Sequence, residues 1–248
     1  MRRIPSLAAA LSLLGASHLP AQQPERATFY LVVGADTITV ERSERTARRL
    51  SFQLFEPRRR AKIEIEAELG PGGLVTVVTQ GVFASDRDST PAIRVVARFL
   101  DDSVGIERGG TTSWVRVGRG ALPSMNVSAA LLEQSLIRWR ALGADSASIP
   151  LMFLPAGPSV PVTIVGRGAD SATVRVGAAT MLAAVSADGR LRGASIPSQN
   201  ARYVRAEMTV GEVPGRKSFA PPAGSPYAAQ EVAIRTPAGL TLRGTLTL

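Results

Sequence analysis

Apolar side chains recur at every second position over much of this chain, and that period constrains the fold more than any other feature. The clearest stretch is Ala61 to Leu69, where Ile63, Ile65 and Ala67 alternate with Glu64, Glu66 and Glu68. Successive side chains of an extended strand point to opposite faces, so this spacing describes a half-buried antiparallel strand. The same reading predicts strands over Thr28 to Val33, Thr37 to Arg42, Leu50 to Phe55, Leu74 to Phe83, Ile93 to Leu100, Ser103 to Glu107 and Ser113 to Val117. Turn chemistry separates them at Gly34-Ala35-Asp36, Gly70-Pro71-Gly72-Gly73, Asp101-Asp102 and Gly109-Gly110.

The period changes once. Residues 126–142 place Leu132, Leu136, Trp139 and Leu142 on one helical stripe, with Asn126 or Ser128 as cap and Gly143 as stop. Such a helix would cover an open face or end of the sheet and bury Trp139 there. Strand signals then resume at Ala147 to Leu154, Val160 to Val165, Ala172 to Val176, Ala179 to Val185, Leu191 to Ile196 and Ala201 to Val210, with Asp188-Gly189 as a hairpin cue. The expected fold is all-β over residues 22–210: a mainly antiparallel, curved sheet or partly open barrel, with one covering α-helix at about 126–142.

The ends differ from this body. Arg2 and Arg3, the apolar run Leu7 to Leu14 and the small-residue stretch Ala16 to Ala21 have the layout of a signal peptide over residues 1–21. That layout predicts a secreted or periplasmic protein. The apolar run is too short to span a membrane. Residues 211–226, GEVPGRKSFAPPAGSP, lack periodicity and read as a Pro/Gly-rich linker. Residues 227–248 add two strand-like runs, Glu231 to Arg235 and Leu240 to Leu248, around Thr236-Pro237-Ala238-Gly239.

Composition removes whole classes of chemistry. The single histidine, His18, lies in the signal-like segment, and the chain contains no cysteine. A Ser-His-Asp triad then has no base, a cysteine nucleophile is excluded, and the common zinc ligand sets are missing. No cofactor motif is present. The chain carries 29 basic and 20 acidic residues, a net charge of +9, and all its basic residues but Lys62 and Lys217 are arginine or His18. Two clusters stand out: Arg42, Arg45, Arg48 and Arg49, and Arg58, Arg59 and Arg60. They read as a solvated face or as a site for anionic lipid or a cell-surface polymer. Nucleic acid is disfavoured, because no basic segment interleaves with stacking aromatics.

The tail YAAQEVAIRTPAGLTLRGTLTL resembles the opening hairpin of secreted α/β-hydrolases of the dienelactone-hydrolase and prolyl-oligopeptidase-like kind. Glu231, Val232 and Ile234 match the first strand of that motif, Thr236, Pro237, Gly239 and Leu240 its turn, and Leu242, Gly244, Thr245 and Leu246 the second strand. The resemblance implies that residues 22–210 are the N-terminal accessory domain of a truncated or split hydrolase, with a hydrolase domain as partner in cis or trans. No catalytic residue carries over, since a nucleophile elbow would follow this hairpin and G-x-S-x-G is absent. The nearest strings, Gly157-Pro158-Ser159-Val160-Pro161 and Gly193-Ala194-Ser195-Ile196-Pro197, both end in proline.

Other candidates have plain structural readings beside the functional ones. Asp86, Asp88 and Ser89 suggest a calcium loop but lack its full pattern, and a polar loop serves as well. Asp101 and Asp102 could pair for acid–base work or merely form a turn. Glu64, Glu66 and Glu68 read as a solvated strand face rather than a metal comb. Lys62 and Lys217 could act as bases for a serine, although Lys217 lies in the linker beside Ser218. Asn126-Val127-Ser128 is both a glycosylation sequon and a helix cap. No catalytic, cofactor or metal residue emerges. The expected function is non-catalytic: an accessory domain of a hydrolase or, alternatively, a stand-alone periplasmic binding module in which the sheet and helix hold a lipid or other apolar ligand.

Overall fold

A computed structural model describes residues 23–206, 229–235 and 241–247. The expected signal segment 1–21 and the linker 211–226 lie outside the described residues.

Eight strands run first as an antiparallel meander: β1 (Glu25–Val33), β2 (Asp36–Arg45), β3 (Arg49–Glu56), β4 (Ala61–Leu69), β5 (Val75–Phe83), β6 (Ile93–Phe99), β7 (Ser103–Arg108) and β8 (Thr111–Arg116). A short strand β9 (Leu122–Ser124) and the helix α1 (Ala129–Ala141) follow. A second meander then comprises β10 (Ser146–Phe153), β11 (Ser159–Gly166), β12 (Ser171–Val176), β13 (Ala179–Val185), β14 (Leu191–Ile196) and β15 (Ala201–Ala206). β15 returns to pair with β1, Tyr203 opposite Leu31, which joins both meanders into one fifteen-stranded sheet ordered β8 through β1 and then β15 through β9. All its pairings are antiparallel except β9 with β10. The strands β16 (Ala229–Arg235) and β17 (Thr241–Thr247) pair with each other in a separate two-stranded sheet.

The large sheet has free edges at β8 and β9 and does not close into a ring of hydrogen bonds. β9 nevertheless touches β5, which is laddered to β4 and β6 on its two sides. The two arms of the sheet therefore meet face to face and wrap the core between them. That interior is filled by Phe29, Leu54, Ile65, Val104, Leu122, Met152, Ile164 and Leu191, all almost fully buried. The all-β architecture with one covering helix follows the alternation directly: Ile65 and Ala67 are inside, Glu66 and Glu68 outside.

α1 occupies the interior. Ser128 caps it by accepting the Leu131 N–H at 3.2 Å, whereas Asn126 only lends its backbone carbonyl to the Tyr203 hydroxyl at 3.0 Å. Trp139 is buried as expected, and its indole N–H reaches the Ala144 carbonyl at 2.9 Å. The expected apolar stripe needs correction. Leu142 lies outside the helix proper and is 46% exposed, while Ala129, Ala130, Leu131, Glu133, Gln134 and Ser135 are all buried. The helix is enclosed on several sides, so its buried surface extends well beyond one stripe. One contact requires glycine. Gly189, in the β13–β14 turn at φ +88°, lies so close to α1 that a Cβ there would meet the Ile137 Cα at 2.7 Å and the Leu136 carbonyl oxygen at 2.8 Å. Any side chain at that position would push the turn off the helix.

Candidate functional site

Two polar arrangements and one cavity surround α1. The first arrangement begins with an inverted strand. Thr39, Glu41 and Arg45 of β2 are buried, whereas Ile38 and Val40, in the other register, are only partly covered. Arg45 donates to the Gln134 Oε1 at 2.6 Å, and Gln134 in turn donates to the Gly73 carbonyl at 2.7 Å. Glu133 sits among three guanidinium groups, at 3.8 Å from Arg45, 3.7 Å from Arg190 and 3.4 Å from Arg205. Its carboxylate also accepts the Leu191 N–H at 2.8 Å. Arg190 and Arg205 each reach Glu25 at 2.8 Å. Burial drives the Glu133 carboxyl upward from its ordinary pKa, and the neighbouring arginines and the Leu191 N–H oppose that shift. Burial likewise lowers Arg45 to about 10, which leaves it charged at neutral pH. These charges compensate one another and pin the middle of α1 to β2, β14 and β15, although the Arg45 Nε and the Arg190 Nη1 are buried without a hydrogen-bond partner.

The second arrangement lies at the start of the helix. Glu41 accepts the backbone N–H of Ala129 at 3.1 Å and that of Ala130 at 2.6 Å, and it hydrogen-bonds the Ser128 side chain. A carboxylate here meets the positive end of the helix dipole and two N–H groups that the helix itself cannot satisfy. Its surroundings are otherwise dry, and loss of water outweighs the three donors, raising its pKa to about 7. Tyr203, nearby on β15, is also pushed up, by burial first and by the Glu41 charge second.

Beside this cap is a cavity of about 290 Å³ between α1 and the inner face of the second meander. Leu132, Leu151, Val162, Val176, Met181 and Ile196 supply its apolar wall. Ser128, Ser135 and Tyr203 add hydroxyls, and the exposed Asn126 and Gln199 mark its mouth. Every residue lining it is uncharged. The hydroxyls are engaged: Ser135 donates to the Leu131 carbonyl at 3.3 Å, and Tyr203 to that of Asn126. The backbone N–H pair that could stabilise an oxyanion near Ser128 is already occupied by Glu41. A larger trough of about 570 Å³ runs over the outer face of β1–β6, lined by Arg42, Glu44, Gln53, Glu64, Glu66 and Arg94. Two of its carboxylates pair across strands on an exposed surface, Glu44 with Arg26 at 3.1 Å and Glu66 with Arg49 at 2.6 Å.

The structure disperses the candidates suggested by sequence. Arg45 points inward while Arg42 and Arg49 face out, so that cluster is no single patch. Arg58 pairs with Asp36 at 2.8 Å, Arg59 with Glu56 at 3.6 Å and Arg60 with Asp86 at 3.2 Å. Asp86 is thus committed to Arg60, and the Asp88 carbonyl accepts from Lys62, which also pairs with Glu64 at 3.1 Å. Asp101 and Asp102 diverge toward Arg119 and Arg116. Among the described residues no group of three or more acidic or histidine side chains could hold a metal ion. Ser159 and Ser195 lie on strands β11 and β14, away from any strand-to-helix turn. Lys217 and Ser218 lie outside the described residues. Sequence reasoning missed Glu41, Glu133, Gln134, Arg190 and Arg205 altogether.

No protein-family model matches the chain, and no curated protein does. Among solved structures, a DUF1089-family protein from Pseudomonas aeruginosa is 12% identical with a TM-score of 0.48, covering 80% of this chain and 98% of its own length. A β-barrel-like protein of the DUF1849 domain of unknown function from Brucella abortus is 12% identical with a TM-score of 0.47, covering 74% of this chain and 94% of its own. Neither is the front of an α/β-hydrolase. That correction removes the resemblance drawn from residues 227–248: twenty-two residues of hairpin motif, a strand–turn–strand pattern that many β-proteins share, did not carry the family with them. Among the described residues no helix is long and apolar enough to cross a membrane.

Proposed function

We propose that this protein is an exported, non-catalytic binding protein whose cavity beside α1 holds a small apolar ligand. The observation that carries the reading is the cavity itself. It is concave, mostly aliphatic, fitted with a few hydroxyls and amides, and bounded by a helix that the rest of the fold buries on several sides. Export is supported by the signal-like layout of residues 1–21. A non-catalytic role is supported by the commitment of Ser128 to capping and of its neighbouring N–H groups to Glu41.

The size sets the scale of the ligand. At about 30 Å³ per non-hydrogen group, the share of a water in the liquid, the cavity accommodates roughly ten such groups. Burying eight carbons at ~0.8 kcal/mol each gives roughly 6 kcal/mol, which corresponds to a dissociation constant in the tens of micromolar. Isothermal titration of the purified chain with 1-octanol should therefore give saturable 1:1 binding with a negative heat-capacity change. Ala179→Trp, which fills the cavity from a partly exposed wall position, should abolish it. Equal binding by the wild type and this variant would refute the assignment.

A further inference from the structure

The character of the lining narrows the ligand further, and the argument rests on the binding reading above. We infer that the cavity selects an uncharged, single-chain amphiphile, an alcohol or ester-like headgroup on a chain of about eight carbons, over the corresponding carboxylate or ammonium. Three observations lead to this.

First, the lining holds no lysine, arginine, aspartate or glutamate, from the inner Ser135 to the mouth at Asn126 and Gln199. A charged headgroup entering it would lose water without meeting an opposite charge. Second, the one feature that would welcome an anion is already taken. The N-terminus of α1 opens beside the cavity, but its Ala129 and Ala130 N–H groups are filled by Glu41. The Glu41 carboxylate also places negative charge immediately behind Ser128, one of the lining residues, which repels a second carboxylate. Third, Glu41 offers a cation no contact ion pair: it is 1% exposed and turned toward the helix N–H groups and Ser128, so its charge acts on the cavity only weakly and from a distance.

What remains for recognition is hydrogen bonding by neutral groups. The Tyr203 and Ser135 hydroxyl oxygens, whose protons are already donated to backbone carbonyls, keep lone pairs free to accept from a ligand hydroxyl. The amides of Asn126 and Gln199 at the mouth offer both donors and acceptors. The arginine-rich network around Glu133, which could have attracted an anion, lines no part of the cavity.

The test is a headgroup series of constant chain length on the purified full chain at pH 8: 1-octanol, octanoate and octylammonium, each followed by calorimetry and by native mass spectrometry. The expected result is that 1-octanol binds at least tenfold more tightly than either ion, and that none of the three binds Ala179→Trp. If 1-octanol binds and octanoate or octylammonium matches it within a factor of two, the headgroup inference is overturned while the binding function stands. If no probe gives saturable binding, the binding function itself fails and the inference falls with it. Glu41→Gln adds an independent check, read only if its circular dichroism matches the wild type: removing the charge behind Ser128 should raise octanoate affinity several-fold and leave 1-octanol within twofold. No change in the ratio of the two would contradict the role given to Glu41.

Discussion

The middle of α1 and its N-terminal end bury acidic groups by opposite means. In the middle, Glu133 is buried and surrounded by Arg45, Arg190 and Arg205. At the N-terminal end, Glu41 has no cation on it and is held by backbone N–H groups and a serine, next to an open, uncharged cavity. An ion network fixes the helix in place. A carboxylate satisfied by the helix terminus occupies that terminus without placing a charged group in the cavity lining. On the proposed function, the division gives anchoring to the middle of the helix and binding to its N-terminal end.

Breaking the network should have the largest effect. Glu133→Ala leaves Arg45 buried without its counter-charge, and urea unfolding should show a loss of about 3–5 kcal/mol. The N-terminal end should show itself through pH. Because the Glu41 pKa is raised from 4.5 to about 7 in the folded state, its contribution favours folding fully below pH 4.5 and is lost as pH rises to about 7. The corresponding fall in stability is about 3 kcal/mol. Glu133, also raised, changes stability in the same direction. Glu41→Gln should flatten the slope between pH 4.5 and 7, as read from urea midpoints at each pH; an unchanged slope would contradict the assignment. Ser128→Ala removes the cap from the Leu131 N–H and a donor to Glu41, and thermal unfolding should register roughly 1 kcal/mol. The smallest effect should come from the surface. Arg49→Ala breaks the short pair with Glu66, yet both side chains are more than half exposed, so stability should move by ~0.2–1 kcal/mol at most.

This contrast also separates what the sequence makes legible from what it hides. Alternation in β4 and the 3.6-residue spacing through Leu132, Leu136 and Trp139 betray a curved antiparallel sheet with one covering helix, because those apolar residues do face the interior. β9 escapes notice: three residues are too few for a period, and nothing local announces a parallel partner. β2 misleads, since its apolar Ile38 and Val40 suggest the wrong inner face, while Thr39, Glu41 and Arg45 occupy the core. Glu133 and Gln134 look like solvent-facing helix residues until arginines from β2, the β13–β14 turn and β15 converge on them from distant parts of the chain. Gly189 is legible as half of an Asp-Gly turn, but its role in admitting the α1 backbone is tertiary. A site assembled from inverted polarity carries no sequence signature of its own. The hairpin motif in residues 227–248 is the opposite case, a local pattern easily read but uninformative about the body it follows.

The central claim is that the uncharged cavity beside α1 is a binding site. Calorimetric titration of the wild-type protein and Ala179→Trp with 1-octanol at pH 8 tests it most directly. Saturable 1:1 binding in the tens of micromolar, absent in the variant, is the expected result. Binding of 1-octanol that Ala179→Trp leaves intact would place the ligand elsewhere and contradict the account.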